Sequence, residues 1–194
     1  MARVRARVIV IAGPSGSGKS RLSKRLALPV LNLDDFYKNG SDPSLPRLDM
    51  GVVDWDDPAS WLLEDAMAAL DELCRTGRAE VPIYEIAQNG RCGWQTLDLG
   101  GSDVFLAEGI FAQEIVPHAR EAGMLEAAYC VRQHPMVTFW RRLTRDLREH
   151  RKPPLVLVRR GLALMGDQRR VVSHAVTLGC EPVTPDEAYA KIRS

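Results

Sequence analysis

Apolar runs of strand length alternate along this chain with stretches of helical period. Arg7 to Ala12 (RVIVIA) is β-branched and apolar at nearly every position, as a strand buried on both faces of a parallel sheet must be. A glycine-rich turn follows, and Arg21 to Leu28 has the make-up of a short helix. Pro29 to Leu33 reads as a second strand. Residues 39 to 57 mix Gly, Pro, Ser and Asp with no period, which predicts a long structured loop, and such loops are usually functional. Asp57-Pro58 then supplies an N-cap and a proline at the first helical position. Leu62, Ala66, Ala69, Leu70 and Leu73 recur at helical spacing until Gly77.

Glu80 to Ile86 alternates loosely, and Pro82 cannot donate to a ladder, so an edge strand is expected there. Ala87 to Gly93 is turn-like, Gln95 to Leu99 a short returning strand, and Gly100-Gly101-Ser102 a break. Asp103 to Ala107 is a second central strand, Ile110 to Glu121 a helix broken or begun late at Pro117, and Glu126 to Val131 a further strand. His134-Pro135 opens a helix with an apolar stripe of Met136, Trp140, Leu143 and Leu147. Leu155 to Leu178 is a basic amphipathic helical region and Cys180 to Val183 a short strand. The capping box Thr184-Pro185-Asp186-Glu187 starts the last helix, to Arg193. Strands alternating with helices predict an α/β fold, a parallel sheet flanked by helices.

The 194 residues suit a single domain with a full α/β core. With 26 Lys and Arg against 25 Asp and Glu the net charge is +1, so no basic field argues for nucleic acid. Cys74, Cys92, Cys130 and Cys180 are far apart in sequence, and His118, His134, His150 and His174 share no metal or triad spacing. Neither a zinc nor a redox motif is indicated. The N-terminal apolar run is too short for a signal peptide and no stretch reaches membrane-spanning length, so a cytoplasmic protein without a membrane partner is expected.

The glycine-rich turn changes this picture from a fold to a chemistry. Gly13-Pro14-Ser15-Gly16-Ser17-Gly18-Lys19-Ser20 fits the phosphate-loop pattern G-x-x-x-x-G-K-[ST] without a mismatch, between a strand and a helix. Its glycines let successive N–H groups face inward around phosphate oxygens at the positive end of the helix. Lys19 then reaches the β- and γ-phosphates and Ser20 ligates Mg²⁺. Asp34 and Asp35 follow the second strand, where ligands of open parallel sheets bind, so either can meet the phosphoryl acceptor unless the pair merely caps a turn. Glu108 ends a central strand, positioned to hold Mg²⁺ through the metal's waters or to be a satisfied strand-end acid. Trp55 offers a stacking face and Asp56 a hydroxyl acceptor, although a tryptophan near a helix start also suits a core. Arg141, Arg145 and Arg148 stand at i, i+4, i+7, with Arg142 beside the apolar stripe, a set suited either to holding phosphoryl oxygens as charge spreads or to a solvated face paired with Asp146 and Glu149.

The set GPSGSGKS, LDDFYK, DWDDP, VPIYE, FLAEGI and RRLTRDLRE, in that order, resembles the uridine kinase group of the phosphoribulokinase/uridine kinase family from about Val8 to Arg151. The resemblance implies a P-loop, nucleoside kinase-like fold with a basic helical lid over about 134–153. It also implies phosphoryl transfer from ATP, with Mg²⁺, to a small hydroxyl acceptor such as a nucleoside. Residue by residue, Asp34 falls on the catalytic base and Glu108 with Ser20 on the magnesium site. Trp55 falls on the base-stacking aromatic, Asp56 on the acid holding ribose hydroxyls, and Tyr37, Tyr84 and Arg91 on the acceptor pocket. Arginines 141, 142, 145 and 148 fall on the lid, and chain position puts adenine contacts near Cys180 to Thr184. Where uridine kinases carry a histidine that reads the pyrimidine edge, this chain has Ile86-Ala87-Gln88-Asn89, leaving the Asn89 amide as the candidate reader. Nicotinamide riboside or a sugar alcohol are the alternative acceptors, and a slow regulatory ATPase is the alternative of another class. A homo-oligomer is compatible with all of them.

Overall fold

A computed structural model describes residues 4–49, 51–133, 136–137 and 168–194. The helix expected from His134, with Arg141, Arg142, Arg145 and Arg148, lies outside the described residues apart from Met136 and Val137. So do His150 and most of 155–178 up to Asp167.

Strands β1 (Arg7–Ala12), β2 (Val30–Asn32), β5 (Val104–Glu108), β6 (Leu125–Val131) and β7 (Glu181–Val183) form a parallel sheet in the order β2-β5-β1-β6-β7. β1 sits at its centre and explains its own sequence. Val8, Val10 and Ala12 pack into the core under α2 (Leu63–Thr76) and α3 (Val116–Glu121). Ile9 and Ile11 pack on the other face with Leu22 and Leu26 of α1 (Lys19–Leu26) and Ala188 of α5 (Pro185–Arg193). A strand covered on both sides has no polar face, hence the continuous apolar run. The helical residues 168–177, here α4, precede β7, and Ala175 is fully buried against the α2 side. The Thr184 capping box forms as expected, with Glu187 N–H donating to the threonine Oγ1 at 3.3 Å and the Thr184 N–H to the glutamate at 2.7 Å. No described helix is long and apolar enough to cross a membrane.

Three boundaries differ from expectation, and a fourth segment, Ile110 to Glu121, starts its helix late as expected. Helix α1 begins at Lys19, inside the phosphate loop, and ends at Leu26, where Ala27 takes the left-handed conformation. The helix expected from Asp57-Pro58 is divided. Asp57 does cap, accepting from Ala59 N–H at 2.8 Å, but only a 3-10 turn follows, and α2 starts at Leu63. Trp61 is the cause: it is extended and buried, and its indole N–H donates to the Leu33 carbonyl at 2.7 Å, a reach unavailable from within a helix. The expected edge strand is instead part of a separate antiparallel hairpin, β3 (Arg78–Glu85) and β4 (Gly90–Asp98). Its turn is only Ile86–Asn89, so residues 90 to 93 belong to the strand rather than the loop. The segment Ile110 to Glu121 opens as a 3-10 turn, Ala112–Ile115, and becomes α-helical only at Val116, one residue before Pro117.

Candidate functional site

Three strand ends meet on one edge of the sheet. Ile11, Glu108 and Asn32 lie side by side in the registers of β1, β5 and β2, so the phosphate loop, Glu108 and the Asp34 turn leave the sheet together. This is the carboxyl edge at which open parallel sheets bind ligands.

In the loop, Gly13 has φ 131°, and a Cβ there would lie 2.4 Å from the Val131 carbonyl oxygen, so no other residue fits. Gly16 and Gly18 also have positive φ, and Gly18 leads into α1, whose first turn has no acidic residue. Ser15 is half-buried, and Ser20 is exposed on the first helical turn. Lys19 Nζ donates to the Gly13 and Pro14 carbonyls at 2.6 and 3.3 Å. Ser17 is fully buried, yet its Oγ has no partner among the described residues. A buried, unpaired hydroxyl, a lysine resting on carbonyls and an uncapped helix N-terminus are all groups that an anionic phosphate chain would satisfy. The donor set therefore fits a nucleotide. It also fits Mg²⁺, which takes one or two protein oxygens and keeps its waters rather than filling a protein cage. The oxygens on hand are those of Ser20 and Glu108. Glu108 is held by Ser23 of α1, whose Oγ donates to it at 2.5 Å.

Asp34 is exposed on the 3-10 turn Leu33–Phe36. Its Oδ1 accepts the Ile110 N–H at 2.8 Å, and its other oxygen has no partner among the described residues. Gly109 permits this contact, because a Cβ there would stand 2.9 Å from Asp34 Oδ1 and 2.8 Å from Leu33 Cβ. Asp35 differs although it is adjacent. It is half-buried, accepting from Asn32 Nδ2 at 2.8 Å and from Tyr84 N–H at 3.4 Å. Burial pushes its carboxyl above the usual carboxylate range, against these two hydrogen bonds and with the Asp34 charge beside it. The two aspartates are thus separated by geometry: one is offered to solvent and the other is built into the fold.

Tyr37, Trp55, Tyr84 and Phe111 form an aromatic cluster beside Asp34, with Tyr37 at its centre and ring centroids 5.7 to 5.9 Å away. The Tyr37 hydroxyl donates to the Trp55 carbonyl at 3.2 Å. Burial raises its pKa, and the charges of Asp34 and Asp56 raise it further, so it remains a protonated donor. Asp56 is exposed at the end of the long loop, its N–H donating to Asp54 Oδ1 at 3.1 Å.

Asn89 and Arg91, expected on the acceptor pocket, lie at the hairpin turn and the start of β4. Asn89 is exposed and left-handed at the hairpin turn, its carbonyl accepting the Gly40 N–H at 2.6 Å. Arg91 is largely covered, and its guanidinium donates to Asp65 of α2 at 2.8 Å, with its N–H held by Asn39 Oδ1 at 2.8 Å. Together these bonds dock the long loop and the hairpin onto the body of the protein.

Sequence reasoning passed over Ser23, Asn32, Trp61, Asp65 and the Ile110 N–H. The polar ones among them bond to other residues of the chain, and only Ile110, the last residue of FLAEGI, stands in a motif. Only Ser23, one helical turn from Lys19, carried a positional signal. The cysteines are all free; burial pushes the Cys130 thiol up to about 11 and those of Cys74 and Cys180 up to about 12, so none of these three is a reactive thiolate. His118 and His174 are exposed, and His174 pairs with Glu114 at 2.8 Å.

The model of the Phosphoribulokinase / Uridine kinase family matches residues 8–152. A uridine kinase of Schizosaccharomyces pombe is 31% identical over 150 residues, which is 74% of this chain and 32% of that protein. A uridine kinase of Deinococcus deserti is 32% identical over 162 residues, 78% of this chain and 73% of its own. The chain thus spans about a third of the first relative and about three quarters of the second. Among solved structures, a candidate fructose transport system kinase from Silicibacter sp. TM1040 has the same fold, with a TM-score of 0.65 at 19% identity over 88% of this chain and 86% of that one.

Proposed function

Because this chain belongs to the phosphoribulokinase/uridine kinase family, as its motifs led us to expect, we propose that it transfers the γ-phosphoryl group of ATP to a hydroxyl of a small acceptor. The acceptor we favour is a nucleoside, through its 5′-hydroxyl. The observation that carries the reading is Asp34, an exposed carboxylate fixed through one oxygen at the edge where the phosphate loop and Glu108 converge. The rest of the site follows from where charge develops.

The loop N–H groups and Lys19 hold the β- and γ-phosphates, and Ser15, Ser17, Gly16 and Gly18 line the cradle. Ser20 and Glu108 would hold Mg²⁺, which would neutralise phosphate charge during the transfer. Asp34 accepts the proton of the acceptor hydroxyl through its unpartnered oxygen, while the Ile110 N–H keeps the carboxylate aimed. The acceptor oxygen bonds to the γ-phosphorus as the bond to the β-phosphate oxygen breaks, leaving ADP. Trp55 and Tyr84 flank the acceptor's ring and Asp56 accepts from its sugar hydroxyls. The family resemblance assigns Arg141, Arg142, Arg145 and Arg148, which lie outside the described residues, to the phosphate oxygens, with Arg142 and Arg145 on the transferred group.

Gly109→Ala tests the aim of the base without touching it. The new methyl displaces the Asp34 turn, so kcat should fall roughly tenfold to a hundredfold, since ångström-scale misplacement has that effect. Nucleotide affinity should hold, as fluorescent ATP titration would show. A Gly109→Ala enzyme with wild-type kcat would mean that the Ile110 contact does not position Asp34.

Acceptor choice is tested by a screen of nucleosides and sugar alcohols with ATP and Mg²⁺. Asn89 has its backbone committed to the hairpin turn and its side chain against Gly40, so few buried polar groups remain to go unpaired when the ring changes. Discrimination of that kind needs such groups. We expect 2′-deoxy or 3′-deoxy acceptors to lose more activity than any change of base, and Asp56→Asn to erase the difference. Far faster turnover of uridine and cytidine than of all others would assign Asn89 the reading of the base. Turnover of sugar alcohols alone would move the acceptor class, and ATP hydrolysis indifferent to every acceptor would favour the regulatory ATPase.

A further inference from the structure

Asn32, Asp34, Asp35 and Tyr84 are joined by a short chain of hydrogen bonds that no motif contains. Tyr84 N–H donates to Asp35 Oδ1 at 3.4 Å, Asn32 Nδ2 donates to Asp35 Oδ2 at 2.8 Å, and Asp34 N–H donates to Asn32 Oδ1 at 3.3 Å. A carboxylate only accepts, whereas a carboxamide has one accepting and one donating end. With both oxygens of Asp35 taken, Asn32 must turn its NH₂ toward Asp35, and its carbonyl oxygen is thereby left facing the N–H of Asp34. The reversed amide would set two acceptors against each other and two donors against each other.

We propose that Asp35 is a positioning residue that fixes the Asn32 amide, and through it the Asp34 turn, while tying that turn to the hairpin wall at Tyr84. The inference rests on the reading of Asp34 as the base and of Tyr84 as a wall of the acceptor pocket. It goes beyond that reading by giving one side chain bonds to both the base's turn and the pocket wall. The hairpin is otherwise a separate two-stranded sheet that shares no strand pairing with the main one. Its link to the carboxylate turn therefore depends on side-chain contacts of this kind. Half-burial of Asp35 strengthens the link, because a carboxylate withdrawn from water must have its acceptors filled.

Hydrogen-bond polarity makes the chain testable by exchange of partners. In Asp35→Asn no arrangement of two carboxamides makes all three bonds: one orientation leaves Tyr84 N–H facing an NH₂, and the other leaves Asp34 N–H or the pair itself unmatched. In Asn32→Asp two carboxylates abut. In the double variant Asn32→Asp/Asp35→Asn all three bonds return. The new carboxylate at position 32 accepts from Asp34 N–H and from the new amide at position 35, whose carbonyl accepts from Tyr84 N–H.

Each single variant should lose kcat roughly tenfold to a hundredfold, with a raised acceptor KM and an unchanged ATP KM. The double variant should return to within about threefold of wild type, where independent sites would instead multiply the two losses. Amide hydrogen exchange at Asp34 and Tyr84, measured without substrates, should show protection lost in the singles and regained in the double. Multiplied losses in the double variant, or exchange protection that Asp35→Asn leaves intact, overturn the proposal. If wild type phosphorylates no acceptor, the kinase reading fails by itself and the exchange measurements alone decide the linkage. If a single variant does not fold, recovery of a cooperative thermal transition in the double supports the chain of bonds, and its absence overturns it.

Discussion

Lys19→Ala should abolish phosphoryl transfer in a protein that still folds. The ammonium is the one side-chain point charge that the phosphate loop itself aims at the β- and γ-phosphates, and removing a group that stabilises developing charge costs roughly 10²–10³-fold in kcat. In this structure Nζ rests on the Gly13 and Pro14 carbonyls, at 2.6 and 3.3 Å. Truncation therefore leaves two loop acceptors to water, with a stability loss of about 1 kcal/mol, the usual net worth of such a bond. That is too little to unfold a domain of this size. Steady-state kinetics beside a thermal melt checks both halves. A folded Lys19→Ala protein with unchanged turnover would remove the phosphate-loop reading altogether.

Asp34→Asn should lower kcat by about two to four orders of magnitude, the range of general-base effects, while ATP binding barely changes. The substitution is well controlled here. An asparagine carbonyl can still accept the Ile110 N–H that Asp34 Oδ1 now accepts at 2.8 Å, so the turn keeps its shape and only the proton acceptor is lost. Asp35→Asn should cost less, because its carboxylate works through Asn32 and Tyr84 rather than on the acceptor. A larger loss from Asp35→Asn than from Asp34→Asn would mean that the roles of the two aspartates are exchanged. Single-turnover measurements of each variant with saturating ATP separate this from slow product release.

Much of the architecture is legible in the chain because its causes are local. The run RVIVIA can only be a strand covered on both faces, and the loop Gly13 to Ser20 states its own geometry through three glycines whose φ is positive. The capping box at Thr184 names its helix. Each of these depends on residues within a few positions of one another, so spacing alone carries it.

What spacing does not carry are contacts between residues far apart in sequence. Trp61 divides the helix expected from Pro58, because its indole finds the Leu33 carbonyl 28 residues away. Helical period cannot foresee a hydrogen bond made across the core. Ser23 is an unremarkable helix residue until β5 brings Glu108 to it, 85 positions on. Arg91 and Asn89 read as pocket residues from the family resemblance, and spacing gave no sign of their bonds to Asp65, Asn39 and Gly40, which fasten the hairpin.

Asp34 and Asp35 show the division most directly. Their order in the chain places both at the end of a strand and offers no reason to choose. The choice is made by Ile110 N–H reaching one carboxylate and by Asn32 and Tyr84 enclosing the other, partners 76, 3 and 49 positions away. Residue types and local spacing thus set the fold class and the phosphate chemistry, since the backbone conformations that produce them are short-range. Which carboxylate is left exposed, and what holds it there, comes from hydrogen bonds that exist only once β2, β5 and the hairpin have been packed side by side.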